Sequence, residues 1–382
     1  MPGIEAAAAS PAFLRLEMAP TLPPPASTVG PIAWIRSRLF GGVVSTILTL
    51  ISLYLLWIIV PPLIDFLLIR AVWTGTDREA CLAPETGACW AFVRARFGYF
   101  IYGFYPIAER WRVDIVFVLA AAGILWLLWP NAPRKGLGAI YFFVVFPIAA
   151  FILLVGGSPF GLPVVTTNLW GGVLVTLLVS VIGIVFSLPL GVVLALGRRS
   201  KMPIIKLASV IFIEFVRGVP LITVLFMASV MLPLFLPGDL SPDKLLRALI
   251  GVSLFAAAYM AEVIRGGLQA LPRGQYEGAM SVGLGYWQMM AFIILPQALT
   301  IVIPGIVNTF IGLFKDTTLV YIVGIFDLLK TIDASFTDPS WATPVTRYTG
   351  YAFAAIFYFV FCYGMSRYSM YVERRLAAGR RH

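Results

Sequence analysis

Apolar runs of about twenty residues recur along the chain, separated by short polar and mostly basic stretches. A helix of that length rises about 30 Å, enough to cross the hydrocarbon core of a bilayer. Such runs predict membrane spans at about 43–69, 113–129, 138–157, 171–197, 203–236, 245–268, 299–325 and 349–372. Their apolar character is continuous and does not alternate, which argues against a membrane β-barrel. The first run is interrupted by Pro61 and Pro62, so a kink or change of direction is expected there. The fifth is too long for one straight crossing and is expected to break at Pro220 or to lie partly along the interface. The fold class is all-α: a polytopic helical membrane protein with about eight spans.

The polar stretches divide the chain. Residues 1–32 are rich in alanine and proline and lack an apolar run, the composition of a disordered tail; no signal-peptide core precedes the first span. Residues 33–157 form a three-span segment containing the polar loop 70–112. Residues 158–382 form a five-span segment in which a long loop, 270–297, separates two spans. Lysine and arginine set orientation. Arg36, Arg38, Arg134, Lys135, Arg198, Arg199, Lys201, Lys206, Arg273, Arg374, Arg375, Arg380 and Arg381 all fall on one side of an eight-span chain. Both termini and the 270–297 loop are then expected on the cytoplasmic side of the membrane.

The loop 70–112 is the exception. It carries Arg70, Arg78, Arg94, Arg96, Arg110 and Arg112 on the outer side, where long segments translocate regardless of charge. Residues 90–105, aromatic and basic together, read either as an interfacial helix on the outer leaflet or as an ordinary packed loop. Cys81 and Cys89 share this loop. In an oxidising compartment they are disulfide candidates, a staple with no chemistry of its own. Cys362 lies within a span and reads as a packing residue.

Composition sharpens the class. Hydrophobic residues make up 60% of the 382 and charged residues 12%, about half the charge of a soluble domain. Mean hydropathy is +0.92. The net charge of +10 is carried by loops beside spans, so it is an orientation signal and not a nucleic-acid signal. The single histidine is His382, which excludes histidine-based catalysis and most zinc-site patterns; no metal site is expected.

The loop 270–297 holds the most specific pattern: Glu277-Gly278-Ala279, Gly283, then Ile293-Ile294-Leu295-Pro296. Pro272 suits the first position of a helix. Glu277 is expected in or near its first turn, where the helix dipole favours an anion. Gly283 and Gly285 permit a sharp bend. Met280, Val282, Leu284, Tyr286 and Trp287 offer interface anchors. This pattern resembles the EAA loop of bacterial ABC importer permeases, with Gly278 in place of the usual alanine. In that family the loop docks on a separate ATPase, which implies a coupling role for Glu277, Gly278, Ala279, Gly283, Ile293, Leu295 and Pro296.

Three further segments resemble the histidine/polar-amino-acid permeases: Glu214-Phe215-Val216-Arg217-Gly218-Val219-Pro220, Ala258 to Gly267, and Lys315-Asp316-Thr317-Thr318-Leu319. The N-terminal segment, with Thr76-Asp77-Arg78-Glu79-Ala80-Cys81 and Gly87-Ala88-Cys89-Trp90, is similar to M-type permeases of general L-amino-acid ABC transporters. The resemblance implies a type I importer (MetI-like) core that moves L-amino acids from periplasm to cytoplasm. The implied partners are a second, Q-type permease in a heterodimer, an ATPase dimer and a periplasmic binding protein, besides membrane lipid. The chain is then no enzyme and binds no cofactor itself; ATP and magnesium belong to the ATPase. Consistent with this, no G-x-x-x-x-G-K-[ST] phosphate loop occurs.

Ionisable residues within spans are costly and need partners or function. Glu214 and Arg217 are three apart, as are Glu262 and Arg265, so each pair falls on one helix face. Internal salt bridges are the favoured reading over substrate contact. Lys315 and Asp316 are adjacent and cannot share a face, so with Thr317 and Thr318 they are expected to line the translocation path or a gate. The competing function is an ion-coupled secondary amino-acid transporter. It leaves the 270–297 loop unexplained, and no repeat relates the two segments, as such transporters usually require.

Overall fold

The computed structural model describes residues 30–236 and 242–378. Most of the expected tail, Arg380, Arg381 and His382 lie outside the described residues. The elements are α1 (Pro31–Leu39), α2 (Val43–Ile69), α3 (Trp90–Tyr102), α4 (Ile107–Leu128), α5 (Lys135–Val155), α6 (Gly172–Arg198), α7 (Pro203–Gly218) and α8 (Leu221–Phe235). They continue as α9 (Lys244–Ala270), α10 (Arg273–Ser281), α11 (Tyr286–Ile301), α12 (Ile303–Val323), α13 (Leu328–Ala334) and α14 (Thr346–Ala378). Among the described residues, seven helices are long and apolar enough to span a membrane, and α7 with α8 makes an eighth if counted as one. That pair bends by 108° at Val219-Pro220, where the sequence placed the break. The residue before a proline avoids helical backbone, and Val219 is extended (ψ 139°).

One boundary needs correction. The second span begins at Ile107, not 113, so the loop expected at 70–112 ends earlier. Arg110 and Arg112 sit inside the helix because neighbours satisfy them. Arg112 is fully buried, donates to Glu109 and to the Pro163 carbonyl, and Arg110 stacks over Tyr102. Packing also crosses the expected 157/158 division. The chain separates into Met1–Phe66 and Leu67–His382. Val113, Val116, Ala150 and Leu154 from the second and third spans share one apolar cluster with Leu174, Leu225, Val252 and Leu313 of the later ones.

Within Met1–Phe66, α2 buries no residue, and its side chains are those of a lipid- or protein-facing span. In Leu67–His382, α6 and α9 form the central pair. Gly191 permits their close approach, since a Cβ there would lie 2.7 Å from Met260 and 3.1 Å from the Ala261 backbone. Residues 90–102 are helical as one sequence reading held. The helix buries Ala91, Phe92, Val93 and Phe100 against the protein, so that face is packed and does not lie on lipid. Phe92 and Phe100 join Leu328, Ile332 and Trp341 around Cys81 and Cys89. These cysteines form a disulfide with Cα atoms 5.8 Å apart, and the Cys89 N–H donates to Thr349 of α14 at 2.8 Å. The free Cys362 is half-buried in α14.

Candidate functional site: the coupling loop and the charged cluster beneath it

Pro272 caps α10, which runs through Glu277, Gly278 and Ala279. Glu277 is the fifth residue of this helix. It therefore lies just past the first turn, where the pull of the N-terminal dipole has faded. Glu277 and Gly278 are exposed, and a side chain on Gly278 would meet nothing. Ala279 is buried and holds the helix to the bundle, in a cluster with Met260, Ile264, Met290 and Ile294. Gly283 carries the turn with φ +78°, a left-handed conformation that glycine adopts freely. Gly285 is extended at φ −65° and needs no such freedom; its N–H is capped by Gln288. Ile293 and Leu295 are half-buried and Pro296 is exposed at the next helical start, which orients α11 back toward the bundle.

The outward face of this loop is apolar. Met280, Val282, Tyr286, Trp287 and Phe292 are exposed, Trp287 at 72% and Phe292 at 75%. An open cleft of about 390 Å³ lies beside α10, lined among others by Leu271, Arg273, Glu277 and Met280. Apolar anchors beside a polar cleft fit a protein partner better than bulk water.

Directly beneath lies a cluster of charges. Glu262 of α9 accepts from Arg265 at 2.8 Å, from Arg198 of α6 at 3.0 Å, and pairs with Arg217 of α7 at 3.6 Å. Glu214 pairs with Arg198 at 2.7 Å and not with Arg217, although the two share a face three residues apart. Arg217 instead reaches Glu262 and stacks over Tyr259 at 5.5 Å. The cluster thus ties three helices together, and the role of an internal ionic tie suits all four predicted residues. The sequence reading missed Arg198 and Arg199, which it counted only for orientation. The available signal was their adjacency at a helix end, where neighbouring positions point about 100° apart and meet different partners.

Lys315 and Asp316 are neighbours on α12 but form no ion pair with each other. Lys315 is exposed and Asp316 half-buried, and neither side chain makes a hydrogen bond or ion pair among the described residues. Thr317 is buried and returns its hydroxyl to the Phe314 carbonyl, and Thr318 does the same to Lys315. Of the four residues of this box, Lys315 is exposed, Asp316 and Thr318 are half-buried and Thr317 is buried.

At the opposite end of the bundle, Asp327 is fully buried and caps α13, accepting from the Leu329 and Lys330 N–H groups. Burial pushes its carboxyl up to about 6, and the two N–H donors and Tyr358 only partly oppose this. Thr176 of α6 accepts from the Leu328 N–H, and Thr331 accepts from the Gly172 N–H. No sequence feature singled out Asp327.

Residues 187–378 match the family described as binding-protein-dependent transport system inner membrane component. Over 349 residues the chain is 49% identical to the inner membrane amino-acid ABC transporter permease protein YhdY of Escherichia coli (strain K12), covering 91% of this chain and 94% of that protein. It is 43% identical over 430 residues to the glutamate/glutamine/aspartate/asparagine transport system permease protein BztC of Rhodobacter capsulatus, covering 95% and 98% respectively. Among solved structures, a crystal structure of an amino acid ABC transporter with histidines is 28% identical with a TM-score of 0.46, over 53% of this chain and 92% of that one. A chain whose described residues are mainly helical and include seven or eight candidate spans, matched over nearly its full length by permeases, belongs to the family of binding-protein-dependent transport system inner membrane components and is a multi-span permease subunit.

Proposed function

We infer that this chain imports L-amino acids from periplasm to cytoplasm as one half of a heterodimeric permease, driven by a separate ATPase dimer and fed by a periplasmic binding protein. The observation that carries the reading is the exposed apolar face of the 280–292 loop, set on a charged cluster that joins α6, α7 and α9. Permease relatives named for amino-acid transport, and for acidic amino acids and their amides, support the substrate class. Glu277, Gly278, Ala279, Gly283, Ile293, Leu295 and Pro296 form the coupling element. α10 lies on the cytoplasmic side, and both termini with it. ATP and magnesium are held by the ATPase, and this chain binds no cofactor.

Docked ATPase subunits that close on ATP pull on α10, and the bundle shifts between inward- and outward-facing states according to which one the closed ATPase favours. Among the described residues, the exposed Lys315 side chain on α12 makes no hydrogen bond or ion pair. A charge at that depth is tolerated in a water-filled path or against another protein, and not against lipid. We assign Lys315 and Asp316 to the translocation path, where a cation and an anion side by side suit a zwitterion.

The test is affinity purification of the chain from its native membrane, followed by uptake in proteoliposomes. The ATPase, a second permease and ATP-dependent uptake are expected together. Recovery of the chain alone, with uptake that follows an ion gradient, would overturn the reading.

A further inference from the structure

The end of α6 carries two consecutive arginines that part company. Arg198 enters the Glu262 cluster. Arg199 turns the other way and closes a three-membered ring of hydrogen bonds. Its Nη1 donates to the Leu268 carbonyl at 3.1 Å and to the Tyr276 hydroxyl at 3.0 Å. The Tyr276 hydroxyl in turn donates to the same Leu268 carbonyl at 3.1 Å. The guanidinium also lies over the Tyr276 ring, 5.5 Å from its centroid.

Leu268 is in the last turn of α9, where helix carbonyls lack partners within the helix. An arginine is well suited to cap such a carbonyl, because its charge also favours the helix C-terminus. Here the cap comes from a different helix, and the second donor comes from α10. The ends of α6 and α9 and the middle of α10 are thus tied through one side chain. Elsewhere α10 is held by the buried methyl of Ala279 and by a Gln275–Gln297 contact at 3.1 Å to α11. The Ala279 cluster includes Ala195 of α6, but it offers only apolar contact; the hydrogen bond from the end of α6 to α10 comes from Arg199. A charge-assisted hydrogen bond is also about twice as strong as a neutral one.

We propose that Arg199 is a positioning residue for transport, the strut that makes α10 move as one piece with the ends of α6 and α9. The proposal rests on the reading of α10 as the ATPase-docking helix. Without the strut, the docked helix rocks against Ala279 and its motion is lost before it reaches the spans.

The experiment uses the whole complex, with its ATPase, second permease and binding protein, reconstituted in proteoliposomes. ATP hydrolysis and amino-acid uptake are measured separately on R199A, R199K and Y276F. R199A is expected to lower uptake per ATP hydrolysed about tenfold, within the usual range of coupling energies, while the ATPase still co-purifies and turns over. R199K keeps the charge without the planar fork and recovers only part of the loss. Y276F keeps the ring, removes both hydroxyl hydrogen bonds and falls between. These two milder variants decide the matter if R199A folds poorly. Uptake and hydrolysis falling in proportion, or uptake per ATP unchanged in all three, would overturn the proposal. An unaltered chain that holds no ATPase would overturn the docking reading instead, and the proposal with it.

Discussion

The two ends of the bundle are built on opposite plans. The end carrying α13 is finished. Its cysteines are bridged, Phe92, Phe100 and Leu328 are buried, and Asp327 has its cap partners. The end carrying α10 is unfinished. It leaves Trp287, Phe292 and Val282 in the open above a cluster of arginines and glutamates. An end closed by its own contacts needs no partner to hold its fold, whereas an open one gives another protein both a surface to grip and a polar mechanism to move. The difference also shows in how charge is handled. At the α13 end the buried Asp327 carboxylate is held by main-chain donors, and the ion pairs are separate couples, Arg96–Asp338 and Lys330–Asp333. At the α10 end opposite charges are shared among helices, an arrangement that can be rearranged without leaving one of them bare.

Removing the hub of the shared charges is the strongest way to break this contrast. Glu262→Ala leaves Arg198, Arg217 and Arg265 without their common acceptor. Breaking a largely buried pair costs about 3–5 kcal/mol. The partial exposure of these arginines places the expectation toward the low end of that range, read as a lower thermal midpoint of the detergent-solubilised chain. A midpoint within a degree of the unaltered chain would show that the cluster is not a tie.

Next in size is the staple. Cys81→Ser opens a loop closed over a sequence separation of 8 and is expected to destabilise the α13 end by about 2 kcal/mol. Proteolysis should then cut first near residues 82–88. Uniform cutting across the chain would show that the two ends are not independently secured.

The exposed anchors come third. Trp287→Ala should leave the midpoint of the isolated chain unchanged and weaken ATPase association about tenfold or more, as truncated interface aromatics do. A loss of stability with no loss of association would make Trp287 a packing residue.

The smallest effect is a pH dependence. The folded pKa of Asp327, about 6, lies above the ordinary aspartate value, so the folded chain binds the extra proton. This stability is fully present below the unfolded pKa near 4 and is lost as pH rises through about 6. Acidifying from pH 7 to 6 should therefore stabilise the chain by a few tenths of a kcal/mol. Asp327→Asn, which keeps a capping oxygen, should flatten that slope. A slope that persists in the variant belongs to another group.

The spans were legible because each is a long apolar run, and the bilayer accepts few alternatives to a helix there. The break at Pro220 followed from the proline itself. Gly283 was legible as a turn for the same local reason. The start of α4 was not, since Arg110 and Arg112 read as loop residues until Tyr102, Glu109 and the Pro163 carbonyl came within reach.

What the sequence determined by itself is what depends on neighbours along the chain: the membrane class, the approximate spans, the turn at Gly283 and the family to which its motifs point. Tertiary structure alone decided the pairings. Glu214 chose Arg198 over the nearer Arg217, Arg199 found a carbonyl at the end of another helix, and Asp327 became the buried cap. Helical spacing puts charges on a common face. Which of them meet depends on the distances between helices, and those are set by packing across the whole bundle.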